Sequence, residues 1–271
     1  MLNSTQMHVG VQPLTFTGQA SAQEFATVTA NQKWYHSFTF DNGYRVPGYW
    51  NVAPTVPAIE FPDLAGKTVL DIGTASGWFA FYFEQAGATV TAVEIAQRSD
   101  FNHFGYVAGE VPEPAHDQSH GRGFRTMKKL LGSQVALEQG SVYDLGLHLL
   151  PNQSFDIVFL GCILLHLRDP VGALQAARRV AKQMVIATTI IDRHRLPQAL
   201  PAMLWIRPEP NSIGWWHPTK LAYQKWFEAA GFTNVDVERS VVQDADIPRP
   251  HQQTERLTSG SINLQIAHAY V

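Results

Sequence analysis

The sequence predicts an α/β fold: a doubly wound, mostly parallel seven-stranded sheet with an antiparallel edge strand, preceded by an N-terminal aromatic cap. Three observations carry that expectation. Short β-branched apolar runs alternate with helix-period segments through the middle of the chain, the pattern of strand–helix–strand units. The first of those strands runs straight into a glycine-bounded turn. Two final strands follow one another without a long helix between them, which suits an antiparallel pair at an edge.

Taken in order, residues 1–33 are rich in Gln, Thr, Ser and Ala and read as a polar extension. Trp34 to Trp50 packs seven aromatics around a turn at Asp41-Asn42-Gly43 and, with residues up to 60, forms the cap. Aromatics this dense seldom stay exposed. Thr68–Ile72 reads as a buried parallel strand, Gly73–Gly77 as a turn, and Trp78–Ala86 as a helix stopped by Gly87. Thr89–Glu94 is the second strand. Residues 97–133 form an insertion with a helix over Phe124–Leu131. Val135–Leu137, Ser154–Leu160 and Gln183–Thr189 are the third to fifth strands, with a helix at Pro170–Ala181. Thr219–Ala230 is a helix closed by Gly231, and Val235–Val242 and Ile262–Tyr270 complete the sheet. Residues 34–271 therefore read as one domain.

Composition supports a substantial core and narrows the partners. Of 271 residues, 45% are apolar and 16% charged, with a formal net charge of −3. A protein gripping a long nucleic acid by its phosphates needs a basic surface, and none exists globally. The clusters Arg122/Arg125/Lys128/Lys129 and Arg193/His194/Arg195 read as solvated faces. Cys162 is the single cysteine, which rules out an intramolecular disulfide and a cysteine-based zinc site; lying in an apolar run, it reads as a small buried hydrophobe. No signal peptide and no apolar run of membrane-spanning length is visible, so a soluble, cytoplasmic protein is expected. His116 and His120 stand four apart, but Pro112, Pro114 and Gly121 argue against the helix that would make them a metal pair, and no metal is expected.

In a doubly wound sheet, ligands bind beyond the carboxyl ends of the strands. That places Asp71 and Gly73–Gly77 at the ligand. Glycine lets backbone approach closely, and the following helix N-terminus suits an anion. Glu94 ends the second strand, 17 residues beyond Gly77, where a carboxylate can accept from both hydroxyls of an adenosine ribose. These features leave S-adenosylmethionine (SAM) and a nicotinamide dinucleotide both open. Bulky Trp78, where the dinucleotide fingerprint wants a small residue, and the late antiparallel strands favour SAM.

The segment VLDIGTASGWFAFYFEQAGATVTAVE resembles motifs I and II of class I SAM-dependent methyltransferases, with their Rossmann-like sheet. GSVYDL at Gly140–Leu145 resembles the segment that holds adenine. FDIVFLGCILLHLRDP resembles the fourth-strand motif of a subgroup that includes wobble-uridine tRNA carboxymethyltransferases, and WYHS…NGYRVPG and WWHPTKLAYQKWFEAAGF are similar to the same subgroup. The resemblance implies that Gly73, Thr74, Ser76 and Gly77 face the methionine part of the cofactor, and Asp71 and Trp34 are counted with them as cofactor-binding. It further implies Glu94 on the ribose, Ile95, Ser141 and Val142 around adenine, and Gly161 and Cys162 on the floor near the sulfonium. Two departures matter. Leu165 stands where the carboxymethyl-transferring members have tyrosine, and YRVPG lacks a lysine for the extra carboxylate of their donor.

Ordinary methyl transfer to O or N of a small, aromatic or natural-product-like acceptor is therefore expected, with S-adenosylhomocysteine (SAH) as product. Wobble-uridine tRNA modification, SAM binding without catalysis, and nicotinamide oxidoreduction are the alternatives. His36, His217 and His166 are the candidate bases, histidine being suited to neutral pH. Trp34, Tyr35, Tyr44, Trp50, Phe101, Phe104, Tyr106, Trp205, Trp215 and Trp216 flank the sheet, divided between packing the cap and enclosing a flat acceptor.

Overall fold

The computed structural model describes residues 14–18, 20–30, 34–96, 100, 121–193, 195–205, 214–246 and 261–271. Phe101, Phe104, Tyr106, His116, His120 and His194 lie outside the described residues, as does most of the expected insertion.

A short helix, α1 (Ala22–Thr29), is closed at its start by a capping box between Ser21 and Glu24. It delivers Phe25 onto Phe40, with ring centroids 4.4 Å apart. The segment read as a polar extension thus supplies core contacts. In the cap, β1 (Trp34–His36) pairs in parallel with β4 (Gly48–Trp50), while β2 (Phe38–Thr39) and β3 (Arg45–Val46) form the hairpin around the expected Asp41–Gly43 turn. The short helix α2 (Val56–Ile59) leads down to the sheet.

The main sheet is built from β5 (Thr68–Ile72), β6 (Thr89–Glu94), β7 (Ala136–Gln139), β8 (Phe155–Gly161), β9 (Ala181–Ile190), β12 (Asn234–Asp236), β13 (Ser240–Asp244) and β14 (Ser261–Tyr270). Between β9 and β12 lies a separate ribbon of β10 (Met203–Trp205) and β11 (Trp216–Pro218). The order across the sheet is β12-β14-β9-β8-β5-β6-β7, with β13 also on β14. Ladders β7 through β9 are parallel, and only those to β14 are antiparallel.

Alternation along the strands divides two cores. Val69, Ile157, Phe159 and Ile186 face the cap, α3 (Trp78–Gln85) and α4 (Arg122–Leu131). Leu70, Ile72, Val158, Leu160 and Val185 face α5 (Pro170–Val180) and α6 (Lys220–Ala229). Burial on both faces is why these strands read as continuous apolar runs rather than polar–apolar alternation.

Two details refine the expectation. The reversed strand is β14, which lies one place in from the edge because β12 and β13 cover its outer side. The expected strand Val235–Val242 is broken at Val237–Arg239, and β12 and β13 occupy successive stretches of the same side of β14. Buried Gln265 makes the break tolerable: its amide nitrogen donates to the carbonyl oxygens of Val237 and Arg239, at 2.5 and 2.7 Å. The sheet therefore has eight strands in seven positions.

Candidate functional site

The chain leaves β5 for β6 and β7 on one side and later places β8 and β9 on the other. The strand order reverses between β5 and β8, the position where ligand crevices open in such sheets. The turn after β5 occupies it.

Three residues of that turn have left-handed backbone: Gly73 (φ 74°), Ala75 (φ 51°) and Gly77 (φ 89°). Gly73 is also required by space. A Cβ there would lie 2.7 Å from Cδ1 of Ile163, in the loop after β8. A Cβ on Gly77 would stand 2.5 Å from the Phe81 ring and 2.6 Å from that of Phe124. Trp78, which follows, is fully buried and meets Phe16 and Tyr82, so it belongs to the core and not to the crevice.

Ala75 is the strained position, since an L residue pays for this backbone with a Cβ clash. Its N–H donates to Oε2 of Glu94 at 2.8 Å, while Oε1 of the same carboxylate accepts from the N–H of Ile95 at 2.9 Å. Half-buried Glu94 thus ties the ends of β5 and β6 together, and burial raises its pKa. Each of its oxygens retains a second acceptor direction. Asp71 lies beneath the turn, buried, and accepts from Thr74 Oγ1 at 2.7 Å. Burial pushes its carboxyl up to about 7; the Thr74 bond pulls it down and the Glu94 charge adds to the rise.

Gly140 N–H donates to the Glu94 carbonyl oxygen at 2.9 Å, which brings Ser141 and Val142 alongside Glu94 and Ile95. Val142 is buried, and Ser141 Oγ accepts from Tyr143 N–H at 3.3 Å as a cap. At the end of β8, Gly161 is followed by Cys162 in left-handed conformation (φ 55°), its N–H shared between the Thr188 carbonyl oxygen at 3.1 Å and Thr188 Oγ1 at 3.0 Å. Cys162 is half-buried, not the fully buried hydrophobe expected from its apolar run, because the strand has ended and the chain turns outward.

The cap reaches the turn directly. His36 N–H donates to Ser76 Oγ at 3.0 Å. The His36 ring is buried among Tyr35 and Phe79, and desolvation lowers its pKa to about 3. His36 Nδ1 and the Nε1 of buried Trp34 have no hydrogen-bond partner, although both side chains lie on the strand that touches the turn. A buried N–H without a partner costs about 1–3 kcal/mol, so such atoms mark a place for a ligand or water.

His217 and His166 meet elsewhere on the rim. His217 lies on β11, half-buried, and its pKa falls to about 4 through burial, then Arg195; Asp192 opposes this and His166 adds to it. His166 ends a 3-10 turn after β8. Trp215 N–H donates to the Leu165 carbonyl oxygen at 2.8 Å, joining that turn to the ribbon, and the Arg168 guanidinium lies 5.1 Å from the Trp215 ring centre. The Trp205 ring packs within 6.2 Å of Trp215 and 6.3 Å of Trp216, centre to centre.

The structure brings Glu94 to Gly73–Gly77 and Ile95 alongside Val142, and it divides the three candidate histidines between two places, His36 behind the turn and His166 with His217 on the rim. The sequence reading missed Asp192, Thr189 and Tyr223. Asp192 stands just past the end of β9, a strand-end position that the same crevice rule could have flagged. Thr189 Oγ1 and Tyr223 Oη are buried without partners, and nothing local in the sequence announces them. Among the described residues, no group of three His, Cys, Asp or Glu is placed to hold a metal ion, and no helix is long and apolar enough to cross a membrane.

A family profile described as "Methyltransferase domain" matches residues 51–237, which spans β5 to β12 and includes the turn after β5, while the cap strands β1 to β4 lie before it. The chain belongs to this family of SAM-dependent methyltransferase domains. Curated relatives include tRNA U34 carboxymethyltransferases from Pseudoalteromonas translucida, 25% identical over 79% of this chain and 58% of theirs, and from Klebsiella pneumoniae, 27% identical over 79% and 56%. The chain therefore spans somewhat over half the length of those relatives. Among solved structures, the N-terminal domain of EvdMO1 with SAH bound superposes with a TM-score of 0.62 at 16% identity, covering 93% of this chain and 98% of that domain. A second structure of that domain, in the presence of SAH and D-fucose, gives a TM-score of 0.61 at 17% identity. These likenesses show a shared Rossmann-like fold with a large, mostly parallel sheet.

Proposed function

We propose that this chain transfers the methyl group of SAM to an oxygen or nitrogen of a small, aromatic or natural-product-like acceptor. The observation that carries the reading is the Glu94 carboxylate, held across the ends of β5 and β6 with acceptor directions to spare. It is matched to a ribose diol. Ile95 and Val142 beside it offer apolar surface for adenine. The start of α3, where Asp71 takes the Ala80 N–H and the N–H groups before it have no partner within the helix, and the unpartnered Nε1 of Trp34, which donates only, suit the methionine carboxylate. The residues present thus fit the cofactor. Gly161 and Cys162 form the floor beyond the turn.

When bound, SAM supplies an electrophilic methyl on a sulfonium. The protein's share is orientation: an acceptor held in line gains on the order of 7–11 kcal/mol from proximity. The acceptor end is the rim of β8 and β9, where His166 and His217 adjoin Asp192 and the Trp205–Trp215–Trp216 group supplies flat apolar surface. Both the His217 and His36 rings are neutral at pH 7. His217 is the better placed to accept a proton from an acceptor hydroxyl or amine, being half-buried on the ribbon. His36 is enclosed behind Ser76 and acts by holding the turn.

Transfer to a tRNA wobble uridine is the second reading. The names of the curated relatives and the exposed face of α4, with Arg122, Arg125 and Lys129, support it. Calorimetry decides the first step: saturable binding of SAH and none of a pyridine dinucleotide supports the proposal, and the reverse overturns it. Incubation with SAM and a panel of phenols, amines and unfractionated tRNA, with SAH release as the readout, then separates the acceptors. SAH release that needs tRNA and collapses with added salt overturns the small-acceptor reading. SAH binding without release on any acceptor favours a regulator that binds SAM.

A further inference from the structure

The end of β13 grips the N-terminal cap from 209 residues away in sequence. Ala245 bridges Trp50 in antiparallel fashion, and Asp246 N–H donates to the Tyr49 carbonyl oxygen at 2.9 Å. The Asp246 carboxylate accepts from Ser37 Oγ and from the Arg45 guanidinium. Ser37 is buried at 2% exposure, its N–H donates to the Trp50 carbonyl oxygen at 2.8 Å, and its Oγ accepts from Gly48 N–H at 2.8 Å. One serine therefore joins Asp246, β4 and the end of β1.

The next link goes to the cofactor turn. His36 precedes Ser37, and its N–H is donated to Ser76 Oγ. The two cap strands are also in hard contact: a Cβ on Gly48 would lie 2.3 Å from the carbonyl carbon of His36. Neither strand exceeds three residues, and a ladder that short does not hold itself in water. Its register depends on what ties it from outside. Ser76 sits between left-handed Ala75 and Gly77, so the bond from His36 holds the turn at its most strained stretch.

We propose that Asp246 is a positioning residue for the cofactor turn, acting through Ser37 and the His36–Ser76 hydrogen bond. Resting on the reading of Gly73–Gly77 as the SAM turn, the inference adds that the last stretch before the β13–β14 connection sets how that turn is held. Arg45 shares the Asp246 carboxylate and fixes its ionised state: burial pushes its pKa up, and the Arg45 and Ser37 bonds bring it below the usual carboxylate range.

The test uses the full chain and the variants Asp246→Ala, Asp246→Asn, Ser37→Ala, Ser76→Ala and the double variant Asp246→Ala/Ser76→Ala. Amide exchange at His36, followed without ligand, reads the positioning independently of any cofactor, and calorimetry with SAH reads its consequence. Asp246→Ala is expected to speed His36 exchange and to weaken SAH by roughly 5-fold, the worth of one ordinary hydrogen bond. Asp246→Asn keeps an acceptor for Ser37 and should recover most of that loss. Ser76→Ala should weaken SAH by itself, and Asp246→Ala should then add little in the Ser76→Ala background, because the link it acts through is already gone. A purely structural tie would instead lower the melting temperature while leaving Asp246→Ala with parental SAH affinity, or would make the two losses additive; either result overturns the proposal. Should Asp246→Ala fail to fold, Ser37→Ala cuts the same link at a neutral side chain. If the parent protein ignores SAH, the cofactor reading fails, while unchanged His36 exchange in Asp246→Ala or Ser37→Ala would still refute the positioning role on its own.

Discussion

Replacing Glu94 by Gln removes one charge and little volume from the point where the ends of β5 and β6 meet. The carboxylate takes Ala75 N–H at 2.8 Å and Ile95 N–H at 2.9 Å. A glutamine keeps one of these through its carbonyl oxygen, but its amide nitrogen turns toward the other N–H and cannot accept. Hydrogen bonds to a charged group are worth about 1.5–3 kcal/mol each. If the same carboxylate clasps a ribose diol, one of its two hydroxyl contacts is lost as well. SAH affinity should then fall by about 10- to 150-fold, one such contribution converted at about 1.4 kcal/mol per factor of ten. Titration calorimetry measures the affinity, and ligand-free melts read the turn itself, where an orphaned N–H costs about 1–3 kcal/mol. Parental SAH affinity together with a lowered melting temperature refutes the ribose assignment and leaves the turn geometry intact. Parental values of both refute the geometry too.

Three other substitutions probe the same framework. Asp71→Asn should stabilise the ligand-free protein above neutrality: the folded carboxyl titrates near 7 against an ordinary 3.8, so its neutral form stabilises the fold below about pH 4 and that contribution is lost as pH rises toward 7. The gain approaches about 4 kcal/mol at pH 8, at about 1.4 kcal/mol per pKa unit. Urea melts at pH 4.5 and 8 showing the same difference at both would contradict it. His36→Gln should flatten acid unfolding: a buried imidazole with pKa about 3 stays neutral while the unfolded chain takes up a proton near 6.5, so stability present above pH 6.5 is lost on going down toward pH 3. A variant whose pH profile parallels the parent's through that window refutes the burial argument. Gly77→Ala forces a side chain into φ 89° and within 2.5 Å of Phe81. It should cost about 1–2 kcal/mol in backbone strain and about 1–3 kcal/mol in displaced rings, read as a lower urea midpoint at unchanged slope; a loss of only about 1–2 kcal/mol would mean that the rings yield freely, and one below about 1 kcal/mol would refute the backbone strain as well.

What the sequence could and could not disclose follows from the range of the interactions involved. Thr68–Ile72 and Thr89–Glu94 were readable to the residue because short runs rich in β-branched and apolar residues, closed by a glycine turn or a strand-end carboxylate, are written in consecutive letters. The helices α3 and α6 were readable for the same local reason, since Gly87 and Gly231 adopt the left-handed backbone that ends them. The break between β12 and β13 was not, because it is made tolerable by the side chain of Gln265, 26 and 28 residues further on. Ala75 illustrates the same limit inside the site. Nothing in Gly-Thr-Ala-Ser-Gly says that the alanine is the strained residue; its partner is Glu94, 19 positions away, and the hold on Ser76 comes from His36, 40 positions before it. A single glycine-bounded turn is weak evidence of a ligand when read alone, since glycines serve turns of every kind. Here the turn is held at Ala75 by a strand-end carboxylate and at Ser76 by the cap, and both holders lie against the crevice. Strain maintained from two directions at a switch point is hard to explain by packing alone, and it is the physical ground for treating this turn as a binding site.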